Sequence, residues 1–253
     1  MTKTPISRWR AASIHLAISA VVVATIFSII FFVWYPGPLF QTFGGRQLFL
    51  LIAMVDLGIG PLITLIIFKH GKKGLKFDLV VIAVLQVAAL AYGSAALYES
   101  RPVWIVFVKD RFELVRANQV VEAERAKAKP PYDELSLTGP RLVGARLPKD
   151  PDEQLRIALT AAAGQDVQTY PQYLVPYADV KGQVVERAMP ISRLRELNRG
   201  AGAAIDRAIA KLGRKELAVG FIPMRAGRSD LTVFVDRKTG DILATVPLNP
   251  WGY

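Results

Sequence analysis

Three uninterrupted apolar stretches in the first hundred residues constrain this chain more than anything else in it. Ser13–Tyr35 runs 23 residues without a formal charge, Leu48–Phe68 runs 21 with Asp56 as its one charge, and Leu79–Tyr98 runs 20 with none. A helix needs about 20 apolar residues to cross a hydrocarbon core about 30 Å thick. Each stretch is therefore predicted to span a lipid bilayer. The first is too long for the apolar part of a signal peptide, and Phe31-Phe32-Val33-Trp34-Tyr35-Pro36-Gly37 contains no small-x-small cleavage pattern. It reads as an anchor.

The few charges around these stretches give an orientation. Lys3, Arg8 and Arg10 precede the first; Lys69, Lys72, Lys73 and Lys76 separate the second from the third; the loop between the first two, residues 36–47, carries only Arg46. Positive-inside bias puts the N-terminus and the lysine loop in the cytoplasm. Three crossings then carry everything after Tyr98 to the far side. Trp34, Tyr35, Tyr98 and Trp104 suit an aromatic belt at that interface.

Charge separates the two parts of the chain. The net +11 of the 253 residues would suggest a nucleic-acid-binding surface in a soluble protein. Residues 1–100, however, hold 8 basic and 3 acidic side chains, and residues 101–253 hold 24 and 18. The first part is nearly chargeless and the second is balanced, so no nucleic-acid partner is expected. Cysteine is absent, and both histidines, His15 and His70, lie in the first part. A thiol nucleophile and a Cys-type zinc site are excluded, and the second part has no residue suited to proton transfer near neutral pH.

Residues 101–253 are long enough to bury a core of their own. Val103–Val108 and Phe112–Val115 read as strands, and Gln119–Lys129 as a short charged helix stopped by Pro130-Pro131. Asp150-Pro151-Asp152-Glu153 starts a helix that runs to Ala163 and stops at Gly164. The segment 169–176, with two prolines, is extended but unsuited to a central strand. Helices are predicted over Pro190–Asn198 and Ala201–Leu212, separated by a break at Gly200. Alternation at Leu217/Val219/Phe221, Leu231/Val233/Val235 and Ile242/Ala244/Val246 then gives a C-terminal antiparallel β-meander. The fold class is thus a membrane protein: a domain of three transmembrane α-helices (1–100; spans 13–35, 48–68 and 79–98), then an α+β domain (101–253).

Asp56 is the foremost candidate for a special role, because an ionisable group inside a bilayer is costly. It lies about 12 Å inside the far surface at 1.5 Å rise per residue. Asp56 and Gly60 share a helix face, Gly60 lets another helix come close, and Pro61 disrupts the backbone ladder. Asp56, Gly60 and Pro61 are therefore candidate helix-contact or packing residues. Thr25, Tyr92 and Ser94 lie at the depth of Asp56, and Gln86 lies deeper towards the cytoplasm. A transporter path has no second intramembrane carboxylate to relay a proton. Asp133-Glu134 and Asp152-Glu153 could imitate catalytic or metal pairs, but adjacent side chains diverge and helix capping accounts for the second pair. Arg187, Arg193, Arg195 and Arg199, interrupted by Glu186 and Glu196, read as a solvated face. No catalytic, cofactor-binding or metal residue is assigned.

Phe32-Val33-Trp34-Tyr35-Pro36-Gly37-Pro38, Val55-Asp56-Leu57 with Gly60-Pro61-Leu62, and Phe68-Lys69 with Gly71-Lys72-Lys73 and Leu75-Lys76-Phe77-Asp78-Leu79 resemble the TfpX/TfpZ type IV pilin accessory proteins. The likeness continues through Ala89-Leu90-Ala91-Tyr92-Gly93 and Arg101-Pro102-Val103 to about residue 115. It implies a Gram-negative inner-membrane protein with a periplasmic C-terminal domain, working beside a particular major type IV pilin in pilus assembly or dynamics. The resemblance brings no enzymatic activity and no cofactor. A pilin waits in the membrane with an apolar helix and a periplasmic head, and the two domains could touch both parts. An envelope enzyme modifying pilin or a lipid-linked substrate, and a small oligomeric transporter or regulator built around Asp56, are the alternatives.

Overall fold

The structure, a computed structural model, describes residues 6–42 and 45–251. Lys3, one of the flanking charges, lies outside them. The chain divides into two compact units, one taking Met1–Val33 and Gly44–Glu99, the other Trp34–Phe43 and Ser100–Tyr253.

In the first unit, three helices are each long and apolar enough to cross a membrane. The first runs from Arg8 to Ser28 and continues as a π-helix over Ile29–Trp34; Ser7 caps it, accepting from the Arg10 amide at 3.2 Å. The second comprises Gly45–Ala53, a π-helical stretch Met54–Ile59, and Gly60–Ile67. The third, Leu75–Glu99, begins a turn before the predicted Leu79 and so takes Lys76 and Asp78 into its first turn. Lys72 reaches that turn and pairs with Asp78 at 2.6 Å. Most side chains of this unit face outward, with Phe32, Ile66, Phe77 and Leu85 all exposed. So large an apolar surface is untenable in water and suits hydrocarbon.

The disruption expected at Pro61 takes the form of the π-helical stretch. There the Gly60 amide reaches back to the Val55 carbonyl, five residues away. Pro61 follows in the first turn of the next α-helical segment, where its missing N–H leaves a carbonyl of the preceding turn without that donor.

The second unit is built on an eight-stranded mixed sheet. Its strands are β1 (Pro102–Val108), β2 (Arg111–Arg116), β3 (Arg141–Ala145), β4 (Leu174–Pro176), β5 (Met189–Pro190), β6 (Val219–Arg225), β7 (Leu231–Asp236) and β8 (Ile242–Val246). The order is β4-β3-β1-β2-β6-β7-β8, with β5 also paired to β6. The predicted meander is present as antiparallel β6, β7 and β8. It does not stand alone: β6 joins β2 in parallel at Phe112↔Met224 and Glu113↔Arg225, and β1 joins β3 in parallel.

Both faces of this sheet are covered. Phe107, Phe112, Ile222, Met224, Val233 and Val235 share one face with Val180, Val184 and Leu39. On the other face, Trp104, Val106, Val143 and Ile157 form one cluster, while Phe221, Phe234, Leu194 and Ile205 form a second. β6 and β7 are consequently buried at nearly every position. Their alternation separates two cores rather than core from solvent.

Several boundaries differ from the sequence reading. Leu217 is 85% exposed in a 3₁₀ turn, Glu216–Ala218, and β6 starts only at Val219. The helix predicted over Gln119–Lys129 shrinks to Glu122–Arg125, because Val120 and Val121 stay extended and the Val121 amide bonds the Thr169 carbonyl. Trp104 is fully buried in the sheet core, not at a membrane interface, because it belongs to a central strand. Tyr35 is also buried, with its hydroxyl 3.3 Å from Ser100 Oγ, and the Trp34 indole donates to the Leu137 carbonyl. The loop after the first helix is thus part of the sheet domain, and Leu39 sits in its core.

The expected local signals at Asp150 and Gly213 are in place: Asp150 caps Pro151–Ala161, and Gly213 ends Gly202–Leu212 at φ 61°. β3 was not predicted; only five residues long, with Gly144 inside, it shows no clear period. That glycine is required, since a Cβ there would lie 2.6 Å from both methyl groups of Val180. Gly144→Ala is expected to destabilise the sheet domain by about 1–3 kcal/mol through overpacking. Thermal unfolding of the detergent-purified protein measures it, and adding Val180→Ala should recover part of the loss.

Candidate functional site

Polar side chains converge in the half of the three-helix unit nearest the Phe68–Leu75 turn. His15 and Ser19 come from the first helix, Asp56 and Thr64 from the second, and Gln86 from the third. Together with apolar neighbours they line a cavity of about 440 Å³. Asp56 is 6% exposed, Ser19 9% and Thr64 2%. Among the described residues, the Asp56 carboxylate accepts one hydrogen bond, from Gln86 Nε2 at 3.3 Å. His15 Nδ1 lies 2.7 Å from Thr64 Oγ1.

The local sequence explains this arrangement. Asp56 lies on the π-helical stretch, and Gly60 follows one turn later. A Cβ on Gly60 would fall 2.1 Å from Gln86 Nε2, so the glycine vacates the space through which Gln86 reaches Asp56. The sequence reading chose partners for Asp56 by depth alone and set Gln86 aside as too deep. Three bonds of side chain cover that difference once Gly60 is bare. Thr25 instead bonds the Val21 carbonyl of its own helix, Tyr92 is 80% exposed, and the buried Ser94 hydroxyl has no partner among the described residues. The alternation of small and polar residues at Ser19, Gly60 and Thr64 was the signal available, and it was not used.

The cavity is a cleft with the second helix as its floor. The second helix packs against both others, whereas the first and third make little contact with each other. Ile18 on one wall and Val87 on the other are exposed. Away from the Phe68–Leu75 turn the bundle is closed, with Phe27 and Phe49 rings 4.4 Å apart and Ile30 and Leu97 buried. The topology-determining lysines lie at the cleft end: Lys69, Lys72 and Lys73 in the turn, Lys76 in the first turn of the third helix.

In the sheet domain, Glu153, one of the carboxylates weighed as a catalytic pair, has structural partners. Glu153 is bound by Arg156 and by the Tyr173 hydroxyl, which hold its pKa down to about 2. Arg195 bridges Asp206 and Glu216, and Arg193 pairs with Glu196 at 2.7 Å, so these two arginines of the run are held in ion pairs. A concavity lined by Asp110, Arg187, Arg193 and Trp251 lies beside it. Glu113 on β2 is the less expected group. Burial pushes its pKa up to about 7, against the pull of Arg225 and of Arg111, whose Nε lies 3.1 Å away.

Two predictions follow from these contacts. Gly60→Ala should cost about one interhelical hydrogen bond, ~0.6–1.7 kcal/mol, and cost little in a Gln86→Ala background; thermal melts of the four proteins close that cycle. Glu113 holds its proton more tightly when folded, so it costs stability as the pH rises from its ordinary 4.5 through about 7. Glu113→Gln should therefore stabilise the protein at pH 8 by about 1–3 kcal/mol, with the difference vanishing below pH of about 4.5, in unfolding measured across that range.

Comparison with known proteins places this geometry in a family. The model of the fimbrial assembly protein FimB family matches residues 4–44. Fimbrial assembly proteins of Dichelobacter nodosus serogroups I and E1 are each 28% identical over 244 residues, covering 95% of this chain and 95% of the relative. The protein of serogroups C1 and C2 is 34% identical over 122 residues, 47% of this chain and 92% of that protein. No solved structure matches. The expected link to pilus assembly is carried by these relatives, under the FimB name rather than TfpX/TfpZ. With a relative of that identity matched over nearly its whole length, the chain belongs to the FimB family of fimbrial assembly proteins.

Proposed function

We propose that this protein is a non-enzymatic inner-membrane accessory factor of type IV fimbriae, which binds the cognate major pilin and modulates its assembly. The observation that carries the reading is kinship with fimbrial assembly proteins along 95% of the chain, through the apolar helices and the sheet domain alike. Both units therefore take part in the shared role. The three helices cross the inner membrane with the N-terminus and the lysine turn in the cytoplasm. The sheet domain then stands in the periplasm.

Such a protein can meet a membrane-held subunit on both sides of the interface. The sheet domain offers strand β8, which pairs with β7 and leaves its other edge unpaired among the described residues. An open edge accepts a partner strand through main-chain hydrogen bonds. The test is site-specific photo-crosslinking in cells with probes along Ile242–Val246. Covalent capture of the major pilin, with the pilin's mass unchanged between wild-type and deletion strains, is the expected result. Normal piliation in a deletion strain, or a pilin mass that depends on this protein, would refute the reading.

A further inference from the structure

We propose that the cleft between the first and third helices is the seat of a fourth membrane-spanning helix, supplied by a partner protein and presenting a hydrogen-bond donor to Asp56. This deepens the reading above and rests on its placing the three helices in a bilayer. The shape comes first. A floor helix with two separated wall helices leaves one position of a four-helix bundle unfilled, open along the exposed walls at Ile14, Ile18 and Val87. The opposite half of the bundle is closed, so the opening is local to the polar residues.

The chemistry of the floor selects among occupants. Lipid chains also fill apolar clefts, but a hydrocarbon tail offers nothing to Asp56, whose carboxylate keeps one long hydrogen bond while having room for several. A buried carboxylate in hydrocarbon is stabilised by donors brought in from another helix. A second copy of this chain is a poor occupant. Pairing cleft to cleft would set two Asp56 carboxylates against each other, and the apolar stretches 13–35, 48–68 and 79–98 contain no lysine or arginine to neutralise them. The occupant is thus a foreign helix, apolar along its length, carrying a donor such as a hydroxyl, amide or amine at the depth of Asp56.

The experiment uses the full-length protein in cells that express the major pilin, with photo-reactive residues placed singly at Ile18 and Val87 in the cleft walls. Controls go at Ile66 and Phe77, which are equally exposed but outside the cleft. The expected result is a crosslinked peptide, identified by mass spectrometry, from an apolar membrane-spanning segment of the pilin, with at least about tenfold lower yield at the controls. Asp56→Ala should lower the cleft yield about threefold to twentyfold, the range of one interhelical hydrogen bond, and Asp56→Asn should lose less because its amide oxygen still accepts. Should Asp56→Ala lower the protein's abundance, Ile18→Trp fills the cleft mouth without touching its polar floor and must abolish capture from Val87.

Equal yields at cleft and control positions, adducts with lipid alone, or adducts with a second copy of this chain overturn the proposal. If probes on Ile242–Val246 still capture pilin in those cases, the assembly reading stands and the seat falls. A specific adduct from the cleft with a spanning helix of a protein other than the pilin overturns the proposal too, since the expected occupant is then absent from the seat. Loss of pilin capture from both regions removes the seat and the reading together.

Discussion

The hydrogen bond between Gln86 and Asp56 fixes how the second and third apolar helices meet. Dispersion alone gives apolar helices in hydrocarbon little reason to choose one packing over another, because lipid tails are as apolar as their side chains. A buried carboxylate changes that, since every arrangement leaving it unpaired is costly. Here the amide of the third helix answers the carboxylate of the second through a gap that Gly60 keeps open. The π-helical stretch before Gly60 lies in the same region, next to Pro61, which has no amide to continue the ladder. The His15–Thr64 contact ties the first helix to the second one turn or so further along.

A different constraint governs the sheet domain. Its central strands carry apolar side chains on both faces, so they need cover on both. One face is closed by Val180, Val184 and by Leu39 from the loop after the first apolar helix. The other is closed by Ile157 at one end and by Leu194, Ile205 and Ile209 at the other. The contribution of Leu39, Tyr35 and Trp34 means that the sheet domain is assembled from two separated pieces of chain. Folding of the domain therefore waits on the loop between the first two helices as well as on residues after 100.

These two constraints bear on the role of a fimbrial assembly protein. The ion pairs of the sheet domain, such as those of Arg195 with Asp206 and Glu216, tie one element to another. What the units offer are surfaces: a cleft with a polar floor, and a sheet with an open edge at β8.

The sequence by itself determined the features that depend on short-range chemistry. Apolar length defined three helices, the Asp150-Pro151 start and the Gly213 stop bounded two domain helices, and period-two patterning located β6, β7 and β8. It also singled out Asp56, because a charge in an apolar run is visible without any fold. Only the tertiary structure decided what lies across from these residues. Gln86 was misjudged since depth along a helix says nothing of how far a flexible side chain reaches past a glycine. β3 and the parallel β2–β6 pairing were invisible because parallel pairing joins residues far apart in the chain, Trp104 with Arg141 and Phe112 with Met224, and leaves no local period. Trp104 carried the composition of an interfacial belt, and packing inside the sheet domain, which composition cannot express, put it elsewhere.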